Sequence, residues 1–260
     1  MSESPFLTPP EYSQMVGGWK KDKKREDTKM SEENKLVYTM GRYVGAREDM
    51  DLSKLHGIDL LKFVEEKIKD NNSTRKNPTM VLDVGGGMHL FSDQLRAKYG
   101  SKVRVISTGL SRDVSESARG ILEKMKSQIP HAGSIKKELH PDDSKMHSIF
   151  QMNKTEEAGE PKAEFDLISD TYGEQYYGLK GNNDWLEKYL KTIVMKLKSG
   201  GMATIYPFGN YGVHDGQKIG ESNYQASEVY GILERLEELC EVEQYRKPNS
   251  SHTTLRLIKK

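Results

Sequence analysis

The sequence predicts an α/β fold: a doubly wound, mostly parallel seven-stranded sheet with an antiparallel last strand, preceded by an N-terminal helical extension. Three observations lead there. From Pro78 onward short apolar runs alternate with longer amphipathic segments, as in a parallel sheet covered by helices on both faces. The first apolar run ends in Gly85-Gly86-Gly87, where an open sheet places its ligand crevice. The last two runs are joined by KPNSSH, Lys247 to His252, which suits an antiparallel hairpin and is too short for a crossover helix.

The elements follow in chain order. From Met1 to about Asp27, three prolines, Gly17-Gly18 and the cluster Lys20, Lys21, Lys23, Lys24 and Arg25 read as a flexible arm. Leu36, Val37, Met40 and Val44 recur at helical spacing, as do Leu60, Leu61, Val64 and Ile68. Residues 1–77 are therefore expected to form an arm and helical extension that packs over the mouth of a site as a lid. The strands expected next are Thr79 to Val84, Val103 to Ser107, Ile135 to Leu139, Phe165 to Ser169 and Met202 to Tyr206. Helical stripes lie between them: Val114, Ala118, Ile121, Leu122 and Met125, then Trp185, Leu186, Tyr189, Leu190, Ile193, Val194 and Leu197. A last helix is expected from about Ala226 to Cys240, before strands near Val242 to Tyr245 and Thr253 to Ile258.

Composition narrows the function. Forty Lys+Arg against 39 Asp+Glu leave a formal net charge of +1 over 260 residues, so no global field favours nucleic acid or an acidic membrane. Cys240 is the single cysteine, which excludes an internal disulfide and fits a reducing compartment. No window has the apolar length of a membrane span and the N-terminus lacks a secretory pattern, so a cytoplasmic protein without membrane contact is expected.

The glycine loop after Val84 allows two ligand classes, a dinucleotide and a sulfonium nucleoside. Gly85 and Gly87 fit the G-x-G start of a nicotinamide fingerprint, but Leu90 stands at its third glycine, and Met88-His89 replaces the Gly-Lys of a phosphate-binding loop. Val81-Leu82-Asp83-Val84-Gly85-Gly86-Gly87 resembles the first motif of the class I S-adenosylmethionine-dependent methyltransferases, an acid followed by spaced glycines. The likeness extends over residues 79–260: Phe165 to Asp170 resembles the family's fourth strand, Leu197-Lys198-Ser199-Gly200-Gly201 its turn before the fifth, and the closing hairpin its antiparallel seventh strand.

The resemblance implies a Rossmann-like domain over 78–260 that transfers a methyl group from S-adenosylmethionine. It places Asp83, Gly85, Gly86 and Gly87 against the cofactor's methionine and ribose parts, and Asp170 beside the methyl group. His89 stands where the family often has a third glycine. The second strand ends in Ser107-Thr108 and lacks the acid that usually accepts from the ribose, which leaves those two hydroxyls as candidates, while Asp113 is placed to cap the next helix. In His140-Pro141-Asp142-Asp143, Asp142 or Asp143 is positioned to accept from the adenine amino group, and with His147 the cluster matches no standard metal-ligand spacing. Tyr172 after the fourth strand and His214 after the fifth are the catalytic candidates, His214 as a base toward a hydroxyl acceptor. Ser169-Asp170-Thr171-Tyr172 lacks the Pro-Pro pair of many nucleic-acid and protein amino-methyltransferases, so a small-molecule acceptor is favoured, with RNA or protein left open. A non-catalytic binding or interaction module on the same fold is the alternative.

Overall fold

The computed structural model describes residues 49–86, 89–108, 140–146, 149–150, 164–171, 183–208, 226–246 and 253–260. The stripes expected over Leu36 to Val44 and Val114 to Met125, and the strand expected over Ile135 to Leu139, lie outside them.

Two helices come first, α1 (Asp49–His56) and α2 (Leu60–Asp70). Asp59 caps α2, its carboxylate accepting from the Lys62 amide at 2.8 Å, and Leu60, Val64 and Ile68 form a buried i, i+4, i+8 stripe. Burying aliphatic side chains of this kind contributes about 1.5–3 kcal/mol each. Then follow β1 (Thr79–Val84), α3 (Leu90–Tyr99), β2 (Val103–Thr108), β3 (Asp143–Met146), β4 (Phe165–Thr171), α4 (Asn183–Lys196), β5 (Leu197–Phe208), α5 (Ala226–Leu236), β6 (Cys240–Arg246) and β7 (Thr253–Lys259).

The strands form one mixed sheet in the order β3-β2-β1-β4-β5-β7-β6. Neighbours from β3 to β5 are parallel, and β7 runs antiparallel to both β5 and β6. Six strands make up its continuous body. The edge strand β3 adds only the pairs Ser107↔Asp143 and Thr108↔Met146, with a register break between them. Among the described residues, the strand beside β2 is Asp143–Met146. Two expectations need correction. The last helix ends at Leu236, and Cys240 is the first residue of β6. The Ser199-Gly200-Gly201 turn is a bulge within β5, which pairs with β4 at Leu197 and again from Met202, Gly200 taking φ +69° in the excursion.

Helices cover both faces. On one, Trp185, Tyr189, Leu190 and Ile193 of α4 and Ile232, Leu233 and Leu236 of α5 pack against Leu82, Val84, Ile168, Ala203 and Ile205. On the other, Leu52 of α1, Leu60, Val64 and Ile68 of α2, and Phe91 and Leu95 of α3 cover Val81, Val105, Leu167 and Met202. Residues 49–77 therefore share a core with the sheet. The carboxyl-terminal end of α1 is tied down by distant chain: Thr254 Oγ1 donates to the Leu55 carbonyl, and Arg256 Nη2 donates to the carbonyls of His56 and Gly57, each at 2.9 Å. Gly57 turns there with φ +64°, pressed under the Tyr245 ring, where a Cβ would collide.

Candidate functional site

Strand order reverses between β2 and β4 on either side of β1, so the crevice for a ligand opens beyond the carboxyl ends of β1 and β4. On the face under α1, α2 and α3, the approach to that edge changes character within one pleat. Val105, Val81, Leu167, Met202 and Ile258 stand side by side in register and form an apolar row. One period-2 step nearer the edge stand Ser107, Asp83, Ser169, Thr204 and Arg256, with Asp143 beyond Ser107. The buried rim of the sheet is polar along its length.

Each polar group on this rim has a defined situation. Arg96 of α3 clasps Asp143 with both Nη atoms, at 2.9 and 2.6 Å, and Nη2 also donates to the Val105 carbonyl at 2.7 Å. Ser107 Oγ donates to the Asp83 carbonyl at 3.2 Å and meets His89 Nδ1 at 2.8 Å. A hydroxyl has one proton to give, so Nδ1 carries the imidazole proton. Asp83 Oδ2 accepts from Ser92 Oγ at 2.9 Å. Ser169 Oγ is buried and has no hydrogen-bond partner among the described residues. Thr204 Oγ1 meets His56 Nδ1 at 2.8 Å, and His56 Nε2 meets Thr171 Oγ1 at 2.7 Å, so one fully buried imidazole joins α1 to β4 and β5.

The glycine loop is drawn against β2. The Gly85 amide donates to Thr108 Oγ1 at 3.1 Å, the Gly86 amide to the Thr108 carbonyl at 3.0 Å, and the His89 amide to the Gly86 carbonyl at 2.7 Å. At Gly86 a Cβ would collide with Ser107 Oγ and Asp83 Oδ2, so only glycine allows the loop to lie this close to the acid. His89 takes the left-handed conformation, φ 58° and ψ 25°, which a glycine would adopt freely. A residue with a side chain is strained there, and the bond from the buried ring to Ser107 offsets part of that cost.

The sequence-predicted residues separate into three groups. Asp83, Gly85, Gly86, Ser107 and Thr108 come together at this edge, but the hydroxyls of Ser107 and Thr108 are fully buried and bonded within the protein, so in this structure neither is turned to a ribose. Asp142 and Asp170 point elsewhere. Asp142 directly precedes Asp143–Met146 and pairs with Arg104 at 3.3 Å; Asp170 faces the opposite side of the sheet and accepts from the Tyr189 hydroxyl. Gly87, Tyr172 and His214 lie outside the described residues. Among the described residues no group of acids, histidines and cysteine has the geometry to hold a metal ion, and no helix is long and apolar enough to cross a membrane.

Sequence reasoning missed His56, Ser92 and Arg96. Ser92 and Arg96 sit four apart on one face of α3, a spacing that marks them as a pair aimed at the strand ends. His56 is joined to Thr171 across 115 residues, a separation for which no local pattern gives a sign.

Burial pushes the Asp83 carboxyl up to about 7; the Ser92 hydrogen bond and the Arg96 charge act against that, while the charges of Asp143 and Asp170 add to it. Asp83 and Asp143 line this part of the edge, and the Arg96 guanidinium is committed to Asp143.

No protein-family model matches this sequence, and no curated protein matches it. Solved structures similar to it are S-adenosylmethionine-dependent methyltransferases. The O-methyltransferase TomG from Streptomyces achromogenes, involved in tomaymycin synthesis and solved with S-adenosylmethionine, is 13% identical, with 98% of this chain and 100% of that one covered at a TM-score of 0.44. The S-adenosylhomocysteine-bound methyltransferase PaMTH1 from Podospora anserina is 14% identical, with 100% of each chain covered at 0.41. The N-methyltransferase NodS from Bradyrhizobium japonicum WM9 is 15% identical, with 78% of this chain and 99% of that one covered at 0.39. Independently of them, the antiparallel β7 set between β5 and β6 is the feature that marks the class I methyltransferase fold.

Proposed function

We propose that the chain binds S-adenosylmethionine beyond the carboxyl ends of β1 and β4 and transfers its methyl group to a small-molecule acceptor. The observation that carries this reading is the sign of the site. A pyrophosphate needs free loop amides or basic side chains, but among the described residues the amides of Gly85 and Gly86 are spent on Thr108 and Arg96 is spent on Asp143. What the described part of the edge offers is the Asp83 carboxyl, with one hydrogen-bond donor there, beside the Ser169 hydroxyl, which has no partner among the described residues. Such a wall suits a cationic ligand rich in N–H donors, so a sulfonium amino-acid nucleoside fits and a dinucleotide does not.

S-adenosylmethionine, when bound, supplies a methyl carbon already activated for displacement. The chain's residues then have to bind, orient and exclude water. Gly86 lets the loop backbone lie against the ligand side of Asp83, and Asp83 stabilises positive charge. His56 and Thr171 fix the end of β4, directly before Tyr172, which we place against the acceptor, with His214 taking its proton. The arm from Met1 to about Asp27 is assigned to closing the mouth.

Calorimetric titration with S-adenosylmethionine, S-adenosylhomocysteine and NAD tests the reading. Binding of the first two without NAD is expected; binding of NAD alone overturns it. A second reading, a non-catalytic binding module, is favoured by the bonded Ser107 and Thr108 and the lack of an acid at the end of β2. If nucleoside binds but no methyl group reaches any member of a panel of hydroxyl and amine acceptors, that reading replaces the first.

A further inference from the structure

The weak provision made for Asp83 extends the proposed function. Its carboxyl is nearly sealed from solvent, yet among the described contacts it accepts one hydrogen bond, from Ser92. A buried carboxylate is ordinarily paired or accepts several donors. The neighbour on β2, Ser107, gives its proton to the Asp83 main-chain carbonyl and not to the carboxylate. The neighbour on β4, Ser169, has a hydroxyl with no hydrogen-bond partner among the described residues. Arg96 is held by Asp143 at 2.6 Å and lies 3.7 Å from Asp93. Among the described residues, the charged and titratable groups around Asp83 are Asp143 on β3, Asp170 on β4, and Asp93, Arg96 and His89 on or beside α3, and the Arg96 guanidinium is already committed to Asp143.

We propose that Asp83 makes ligand binding proton-linked and so decides between the cofactor and its spent form: a sulfonium seated on the glycine loop expels the Asp83 proton to solvent, whereas the neutral thioether leaves that proton in place. The proton goes to the buffer, no covalent bond in the ligand changes, and the carboxylate left behind faces the cation. The ammonium group shared by both ligands cancels in the comparison. Release of spent product is favoured as the carboxyl ionises, and the charged cofactor gains by the same step. This rests on the site binding S-adenosylmethionine, as proposed above.

The test is calorimetry on the full chain with S-adenosylmethionine and S-adenosylhomocysteine at pH 6.0 and 7.5, in two buffers of different ionisation enthalpy. The Asp83 carboxyl titrates at about 7 in the ligand-free protein, so the preference for the sulfonium is expected to rise roughly five- to tenfold across that interval. Proton release should accompany the sulfonium ligand alone. Asp83→Asn should flatten the preference, and the proton count on the unmodified chain decides the matter even if that variant does not fold. Binding of both ligands with a pH-independent ratio and equal proton release overturns the proposal and leaves the proposed function standing. Binding of neither ligand at either pH overturns both.

Discussion

Two rows of residues, one pleat apart on the same face of the same strands, are built to opposite rules. Val105, Val81, Leu167 and Met202 form an apolar row whose stability comes from area removed from water. In the next row, Ser107, Asp83, Ser169 and Thr204 are as deeply buried, with exposures from 0 to 5%, and there burial helps only where a partner answers each polar atom. The helices serve both rows: α2 and α3 present Leu60, Val64, Phe91 and Leu95 to the apolar one, while His56 at the end of α1, His89 before α3, and Ser92 and Arg96 of α3 serve the polar one. A sheet edge meant only for packing would not need such provision.

Substitutions can test that division. The largest effect is expected from Arg96→Met, which strands the buried Asp143 carboxylate and should cost about 3–5 kcal/mol in urea unfolding. In the apolar row, Leu167→Ala should cost about 3 kcal/mol by leaving a cavity, and unlike Arg96→Met its cost should not depend on salt. Asp83→Asn should act through pH. Because the folded-state value of about 7 lies above the ordinary 3.8, the native protein holds a proton that the unfolded chain releases, and stability falls as pH rises through that window. The variant lacks this slope, so its thermal stability relative to the parent should improve by on the order of 2 kcal/mol between pH 5 and pH 8. Thr204→Val removes a partner of His56 and should cost about 1–2 kcal/mol. The smallest effect, neutral or slightly stabilising within about 1 kcal/mol, is expected for Ser169→Ala, since its hydroxyl is buried with no partner among the described residues. Should Ser169→Ala cost as much as Thr204→Val, the orphaned hydroxyl has a partner in solution, and the charge argument for the crevice weakens.

The apolar row was the legible one. The apolar run of Thr79 to Val84, the Leu60-Val64-Ile68 stripe and the Trp185 to Val194 stripe can be read because transfer from water acts on each residue independently of its partner. The strand Asp143–Met146 could not be read that way. Its sequence, DSKM, has no apolar alternation, and the buried Asp143 is tolerable there because Arg96 reaches it across 47 residues. The same reason hid the end of the last helix. Glu237 and Glu238 follow Leu236 with no break in composition, and Cys240 suits a helix stripe as well as the start of a strand. At the site, Asp83 and the glycines were legible from local spacing, whereas the engagement of Ser107 with His89, and of Thr108 with Gly85, depends on how the loop folds back.

The ties on α1 bear on the order in which the molecule is made. Thr254 and Arg256 hold the carbonyls of Leu55, His56 and Gly57 across 199 or 200 residues of sequence, whereas the pairings among β1, β2 and β4 join segments far closer along the chain. Closing the longer separation carries the larger entropic cost. During synthesis β1 and β4 can meet while β7 is still inside the ribosome, but the turn that sets His56 against Thr171 cannot be capped until β7 has emerged. Arrested nascent chains ending before Thr253 are therefore expected to protect the amides of β1 from hydrogen exchange and to leave those of α1 exposed, so that the rim bordering the crevice is the last part of the protein to acquire its shape.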